Sequence, residues 1–340
     1  MGRDPSNLIL FIGKRALQLV PVIIGIVLVT FYLTHVAIAD PCSLYVGPHA
    51  DASAHRACIS SLGLNQPLPS QFAHYADTLL TGNWGTDPYT SQPVAPQIAQ
   101  DVPATFELVL TALLMIILLG VPLGVIAANS SGRWPDHLVR IFYLSGWALP
   151  TYLLGLLLAI FVAPALGLTL GPFSTDVPPF PQPTHMSVVD AALAGNPTYV
   201  GDALAHLILP AFALALLNLG IVTRMTRSAM LEVLPLDYVK TARMKGLSEF
   251  FVLYKHALRN SLITTTTVLG VTAGTLLSGT VIIESIFRWP GIGQYALSAI
   301  VNANFPGVIA TVVVFGIGVV IANLIADVAY GILDPRVEWR

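Results

Sequence analysis

The sequence predicts an all-α membrane protein with six transmembrane helices. Three observations carry that expectation. First, the 340 residues are 55% hydrophobic and 10% charged. A soluble domain carries roughly 25% charged residues, so lipid has to be the solvent for much of this chain. Second, six apolar runs approach or exceed the ~20 residues a helix needs to cross the hydrocarbon. Third, if the helices alternate from a cytoplasmic N-terminus, then of 16 Lys and Arg only Arg56 and Arg288 fall outside. The opposite orientation would break the positive-inside rule at nearly every loop. The outer segments instead collect Asp40, Asp51, Asp77, Asp87, Asp101, Asp176, Asp190 and Asp202. Both termini are therefore expected in the cytoplasm.

Taken in order, residues 1–39 hold a short basic lead (Arg3, Lys14, Arg15) and a first span, Ala16 to Ala39. Ala37-Ile38-Ala39 imitates a signal-peptidase site, but the run exceeds the ~7–15 residues of a signal core, so a retained span is expected. Residues 40–103 are a polar external region. It contains both cysteines, Cys42 and Cys58. In an oxidising compartment they could be bridged, a constraint worth about 3 kcal/mol in the chain-entropy picture, or stay as two thiols. Residues 104–340 hold five further spans: Phe106–Ala128, Leu138–Leu166, Leu204–Val222, Leu262–Ile283 and Val308–Ile332. A Pro-rich loop from Pro172 to Pro197 separates the third from the fourth.

One cationic segment, residues 234–260, interrupts the apolar pattern. Pro235 cannot continue a preceding helix, and Asp237 is placed to cap a new one. Tyr238–Lys245 reads as a short helix that Gly246 stops, and Ser248 can cap a second with Glu249 in its first turn. There Phe250, Phe251, Tyr254, Ala257 and Leu258 share a face, with Lys255 and Arg259 off it. This helix–Gly–helix elbow suits either a soluble partner or the lipid headgroups.

The search for chemistry is mostly negative. There is no G-x-x-x-x-G-K-[ST], no H-E-x-x-H and no G-x-S-x-G. Gly291-Ile-Gly-Gln-Tyr-Ala296 fits G-x-G-x-x-A but follows Arg-Trp-Pro rather than a strand, which reads as chance. His35 reads as a packing residue. No metal ligand set or catalytic residue is assigned. Asn323 and Asp327 share a face of the sixth span. A carboxylate at mid-membrane costs about 2.5–3.5 kcal/mol, so Asp327 should face protein or water. It is either an ion or proton site or a structural pair with an inner-edge base such as Arg224 or Arg15. Gly120-x-x-x-Gly124 and Gly270-x-x-x-Gly274 let helices approach closely. Three classes remain: the membrane half of an ATP-driven transporter, a secondary transporter using Asp327, and a membrane enzyme. Secondary transporters usually carry internal repeats and broken spans, and no clear repeat is visible here.

Asp237-Tyr-Val-Lys-Thr-Ala-Arg-Met-Lys-Gly-Leu-Ser248, followed by His256-Ala-Leu-Arg-Asn260, resembles the cytoplasmic "EAA" loop of the dipeptide/oligopeptide/nickel ABC importer permeases. The likeness extends through Leu62–Pro67, Gly82-Asn-Trp-Gly85, Pro103–Leu108, Gly120–Gly124, Glu284–Gly293, Asn323–Asp327 and Leu333–Arg336. It is to the B-type subunit. The resemblance implies a type I ABC importer permease fold in a prokaryotic cell membrane. It implies a coupling helix built from Asp237, Tyr238, Lys240, Thr241, Ala242, Arg243, Lys245, Gly246 and Leu247. Lys240-Thr241-Ala242 stand where the pattern has Glu-Ala-Ala, so contacts through Lys240, Arg243 and Lys245 are expected instead. Thr264 replaces a usual proline. The implied partners are a second related permease (another chain or a second copy), two ABC ATPases that bind ATP and Mg, an external substrate-binding protein and the bilayer, with no nucleic acid. This chain itself would hold no cofactor. Glu284, Trp289, Pro290 and Gly291 would lie at the external mouth, helping to displace substrate from the receptor. A peptide is the first expectation for the substrate, with oligosaccharide, nickel or haem as alternatives.

Overall fold

A computed structural model describes residues 5–37, 40–46, 51–88 and 90–333. Arg3, Ile38, Ala39 and residues 334–340, with Arg336 and Arg340, lie outside the described residues. Helix is the regular secondary structure of the described residues, which contain no strand. Helix α1 (Pro5–Phe31) continues through a wider π-type turn to Val36. Then follow α2 (Pro41–Tyr45), α3 (Ala52–Ser61), α4 (Leu68–Leu80), α5 (Val94–Asn129), α6 (Trp134–Ala148), α7 (Thr151–Ala165) and α8 (Ser187–Leu193). The chain ends with α9 (Pro197–Val233), α10 (Asp237–Met244), α11 (Glu249–Phe287), α12 (Ile292–Val301) and α13 (Phe305–Leu333).

Five of these helices are long and apolar enough to span a membrane, and a sixth span results if α6 and α7 count as one. The expected continuous third span is therefore broken. Pro150 lacks an N–H and disfavours helix at the residue before it. Leu149 is accordingly extended (φ −97°, ψ 123°). The fifth span departs the other way. Helix α11 starts at Glu249, because no proline or glycine interrupts residues 249–269 and Thr264 leaves the helix unbroken.

Helix α9 organises the core. At 37 residues it is about 55 Å long at 1.5 Å per residue, so it projects beyond the hydrocarbon. Asn196 caps its start through Thr198 N–H at 3.0 Å. Buried Leu214, Leu219, Val222 and Met230 pack with Leu108 and Ile116 of α5 and Leu276 and Ile283 of α11. The small-residue motifs set the closest approaches. A Cβ on Gly124 would fall 2.6 Å from Thr226 Cβ, and one on Gly270 only 2.3 Å from Ala326 Cβ. Only glycine permits those contacts between α5 and α9 and between α11 and α13.

The described residues 40–46 and 51–88 form short helices at one end of the bundle, fastened by a Cys42–Cys58 disulfide. Phe31, His35, Phe72 and Tyr75 form an aromatic cluster beneath them, with His35 stacked on Phe31 at 4.6 Å. His35 is thus a packing residue here.

Candidate functional site

The elbow joins α9 to α11 through α10. Helix α10 is amphipathic on a small scale: Val239 and Ala242 are buried while Asp237, Tyr238, Lys240, Thr241, Arg243 and Lys245 are exposed. Val239 and Ala242 belong to the main apolar cluster with Val252, Leu253 and Ala257. Gly246 takes φ +75°, a left-handed conformation that L side chains resist, which reverses the chain. Asp237 does not cap the helix. It sits in the first turn, after Leu236, and accepts from Lys240 Nζ at 3.0 Å. Ser248 likewise makes no capping bond. The elbow is pinned instead by two side-chain links. Arg243 grips Glu249 through Nε (3.2 Å) and a second guanidinium nitrogen (2.8 Å). These bonds hold the Arg243 guanidinium above its ordinary pKa. Asn260 Nδ2 donates to Tyr238 Oη at 2.7 Å.

This surface carries both paired charges and apolar side chains. Of the three cations expected to make contacts, Lys240 and Arg243 pair with Asp237 and Glu249, and Lys245 has no acid partner among the described residues. Beside these charges the elbow also presents apolar side chains: Met244 is 79% exposed and Phe250 67%, with Leu247 and Phe251 exposed as well. Phe250 and Phe251 therefore lie outside the buried face of α11, which is built from Val252, Leu253, Ala257 and Leu258. The wider turn at Val252–Ala257 rotates the face away from the 3.6-residue period on which the sequence reading relied.

At the opposite end of α11 a turn leads into α12. Glu284 is fully buried. Thr105 Oγ1 donates to its Oε1 at 2.7 Å, and Gly293 and Gln294 N–H donate to its Oε2 at 2.7 and 3.0 Å. Thr105 Oγ1 in turn accepts Ile292 N–H at 2.9 Å, and Trp289 Nε1 donates to Ala104 O at 3.0 Å. A Cβ on Gly291 would meet Glu284 and Thr105 oxygens at 2.5 Å. Glu284, Trp289 and Gly291 are thus anchors into α5. Of the four residues expected at a mouth only Pro290 is exposed, next to Arg288. A carboxyl acceptor at the free N–H groups of a helix start is the physical reason the turn folds inward.

Asp327 meets Arg15 Nη1 at 3.1 Å, each side chain 40% exposed, and joins α13 to α1. Asn323 stands a turn away, beside Gly274. This is the contact with Arg15 that the structural-pair reading expects. Among the described residues no group of three acidic, histidine or cysteine side chains could hold a metal.

Two polar sites escaped the sequence reading. Asp136, fully buried, accepts from Arg227 (2.7 and 2.9 Å), Arg140 (3.0 Å) and Gly132 N–H (3.0 Å), tying α6 to α9. Glu107 of α5 accepts from Ser187 Oγ and the Ser187 and Val188 N–H groups at 2.7–2.8 Å, capping α8. The available signal was a lone carboxylate at the edge of an apolar run, which needs a partner.

Residues 120–339 match the family described as "Binding-protein-dependent transport system inner membrane component", and residues 8–109 match its N-terminal companion, "Binding-prot-dependent transport system membrane comp, N-term". The chain belongs to this family. It is a permease component of a transport system, a multi-pass inner-membrane protein and not an enzyme. Its relatives include the probable D,D-dipeptide transport system permease protein DdpB of Escherichia coli K12, 40% identical over 95% of this chain and 96% of that one. The dipeptide transport system permease protein DppB of Haemophilus influenzae is 39% identical over 96% and 99%. The glutathione transport system permease protein GsiC of Salmonella typhimurium is 32% identical over 97% and 99%. Matches of this kind run from one end of the chain to the other, so the elbow, the glycine contacts and the Glu284 turn all lie within the family's region.

Proposed function

We propose that this permease forms half of the translocation path of an ATP-driven importer of di- or oligopeptides. The observation that carries the reading is the elbow. A rigidly pinned helix presents Met244, Leu247 and Phe250 to solvent between two membrane spans. Exposed apolar side chains clustered on a polar connector mark a protein-binding surface. The partner that fits is an ABC ATPase, which would dock over Asp237–Leu247 and deliver the energy of ATP and Mg turnover from outside this chain. The full machine then comprises this chain, a second related permease, two ATPases and an external binding protein. Residues 104–340 act as the permease core, residues 40–103 as an external cap, and both termini lie with the elbow in the cytoplasm.

A peptide is favoured over oligosaccharide, nickel or haem because the relatives described above are named for dipeptides and glutathione. The pairing of Asp327 with Arg15 weighs against the secondary-transporter alternative. The test is reconstitution of the chain with the permease, ATPases and receptor encoded beside it. ATP-dependent uptake of a labelled dipeptide is expected. Gly246→Pro should keep ATP hydrolysis but lose uptake, since proline fixes φ near −65° where the elbow needs +75°. Unchanged uptake in that variant would overturn the docking role.

A further inference from the structure

The start of α6 sets a basic row beside an apolar one. Inward, the helix buries Asp136, Val139 and Gly146. A Cβ on Gly146 would come within 3.3 Å of Leu216 Cγ, so α6 lies close on α9. Outward, Trp134 is 70% exposed, and Leu138, Ile141 and Leu144 are exposed along the turns that follow. Between the two faces stand Arg133, His137 and Arg140. A spacing of four and then three residues sets them in one row along the helix.

The row carries charge that the protein does not neutralise. Asp136 is the only acid in residues 129–148, and this one carboxylate is engaged by two guanidinium groups, those of Arg227 and Arg140. Arg140 uses a single nitrogen, Nη2, for Asp136 and for His137 Nδ1 at 3.3 Å. Its Nε and Nη1 make no bond among the described residues, and the side chain is 36% exposed. A guanidinium only donates, so His137 Nδ1 accepts, and the neutral ring holds its proton on Nε2 as a further donor in the row. Arg133 is exposed and has no acid partner among the described residues. By contrast Arg15, Lys240 and Arg243 each meet a carboxylate.

We propose that Arg133, His137 and Arg140 hold the phosphate of an anionic phospholipid whose chains lie along Trp134, Leu138 and Ile141. An exposed Trp belongs at headgroup level, with apolar side chains deeper in the hydrocarbon. Under the orientation proposed above this is the cytoplasmic leaflet, where anionic lipids attract juxtamembrane cations. A soluble anion would use the cations and leave the apolar row bare, whereas a phospholipid covers both. Arg140 then meets the headgroup with one part of its guanidinium and Asp136 with another, which joins the lipid to the ion pairs that tie α6 to α9. The inference goes beyond the transport reading and takes only the orientation from it.

The test is photo-crosslinking of the complete assembly in nanodiscs that carry a trace of phosphatidylglycerol with a diazirine on its headgroup. Labelled peptides are mapped by mass spectrometry. Label is expected within residues 130–144, at least about fivefold stronger in a phosphatidylcholine matrix than in a phosphatidylglycerol matrix, where unlabelled lipid competes. Arg133→Gln should cut the label in phosphatidylcholine about fivefold, the factor that one juxtamembrane cation contributes. Lys14→Gln, which removes an exposed cation from α1, should leave it unchanged. Size-exclusion confirms that each variant assembles. Equal label in the two matrices, or label that survives both Arg133→Gln and His137→Gln, overturns the inference. Loss of the ATPase subunits from Arg133→Gln with the label unchanged would assign the row to the ATPase and overturn it as well. Crosslinking needs no transport, so each of these failures leaves the proposed function standing.

Discussion

Removing the Glu284 carboxyl should loosen the junction of three helices. In the native chain it accepts two backbone N–H groups, from Gly293 and Gln294, and the Thr105 hydroxyl. Glu284→Ala leaves those donors facing a void. A buried donor without a partner costs about 1–3 kcal/mol. Gln294 N–H is only partly buried and Thr105 keeps its bond to Ile292 N–H, so the low half of that range applies to each. With the cavity added, about 3–5 kcal/mol is expected. Glu284→Gln keeps one good acceptor but turns an NH2 toward a donor, and should cost about 1–2 kcal/mol. At roughly 2 °C per kcal/mol for a large chain, the midpoints should fall by about 6–10 °C and 2–4 °C. The assay is heating of the detergent-solubilised assembly, followed by size-exclusion of what remains folded. Thr105→Val combined with Glu284→Ala should cost less than the sum of the two, because they share the bond. An Ala variant that melts within about 1 °C of the native protein would refute the account of this turn as an anchor.

Gly270→Val should destabilise the α11–α13 contact by at least the ~1–3 kcal/mol of overpacking, since a Cβ already falls 2.3 Å from Ala326 Cβ; thermal midpoints check it, with Ala326→Gly as a partial rescue. Asp327→Asn should cost no more than about 1 kcal/mol, as expected for a pair this exposed, and should leave ATP-driven uptake intact; loss of uptake at normal assembly would restore Asp327 as a transport residue. Arg288 holds φ +53° at the end of α11, so Arg288→Gly should gain about 1 kcal/mol and raise the melting midpoint.

Fold class and span number were legible because hydrocarbon thickness and backbone hydrogen bonding leave few options to a chain this apolar. The same reasoning placed the chain reversal at Gly246, where the structure has φ +75°. It failed where a local rule competed with tertiary partners. Asp237 is a reasonable cap in isolation, yet it bonds Lys240. Phe250 and Phe251 obey helical periodicity, yet one wider turn rotates them outward. The Glu284 cluster was invisible for another reason: Thr105 and Glu284 are 179 residues apart, and spacing along a chain says nothing about such pairs. Periodicity could also show that α11 has faces but not which one is exposed. That took the packing of α9 and α13 against it.

The way the elbow is attached argues for a stiff lever rather than a tether. Helix α9 enters it without a break and α11 leaves it without one. Tyr238, Arg243 and the buried Val239 and Ala242 fasten α10 to α11. Near the same end, Asp136 binds Arg227 of α9 together with Arg140 and Gly132 N–H of its own segment. Breaking a buried pair of this kind by removing one partner costs about 3–5 kcal/mol, far above thermal energy. A push on α10 would therefore shift the elbow ends of α6, α9 and α11 together. The chain changes direction at Leu149-Pro150, where α6 ends in an extended residue and α7 starts on a new axis, its Gly155 packed closely on Ile283 of α11. Under the function proposed above, a force-driven permease needs a rigid part to receive the push, and the Asp136 clasp gives the elbow end of the bundle that stiffness.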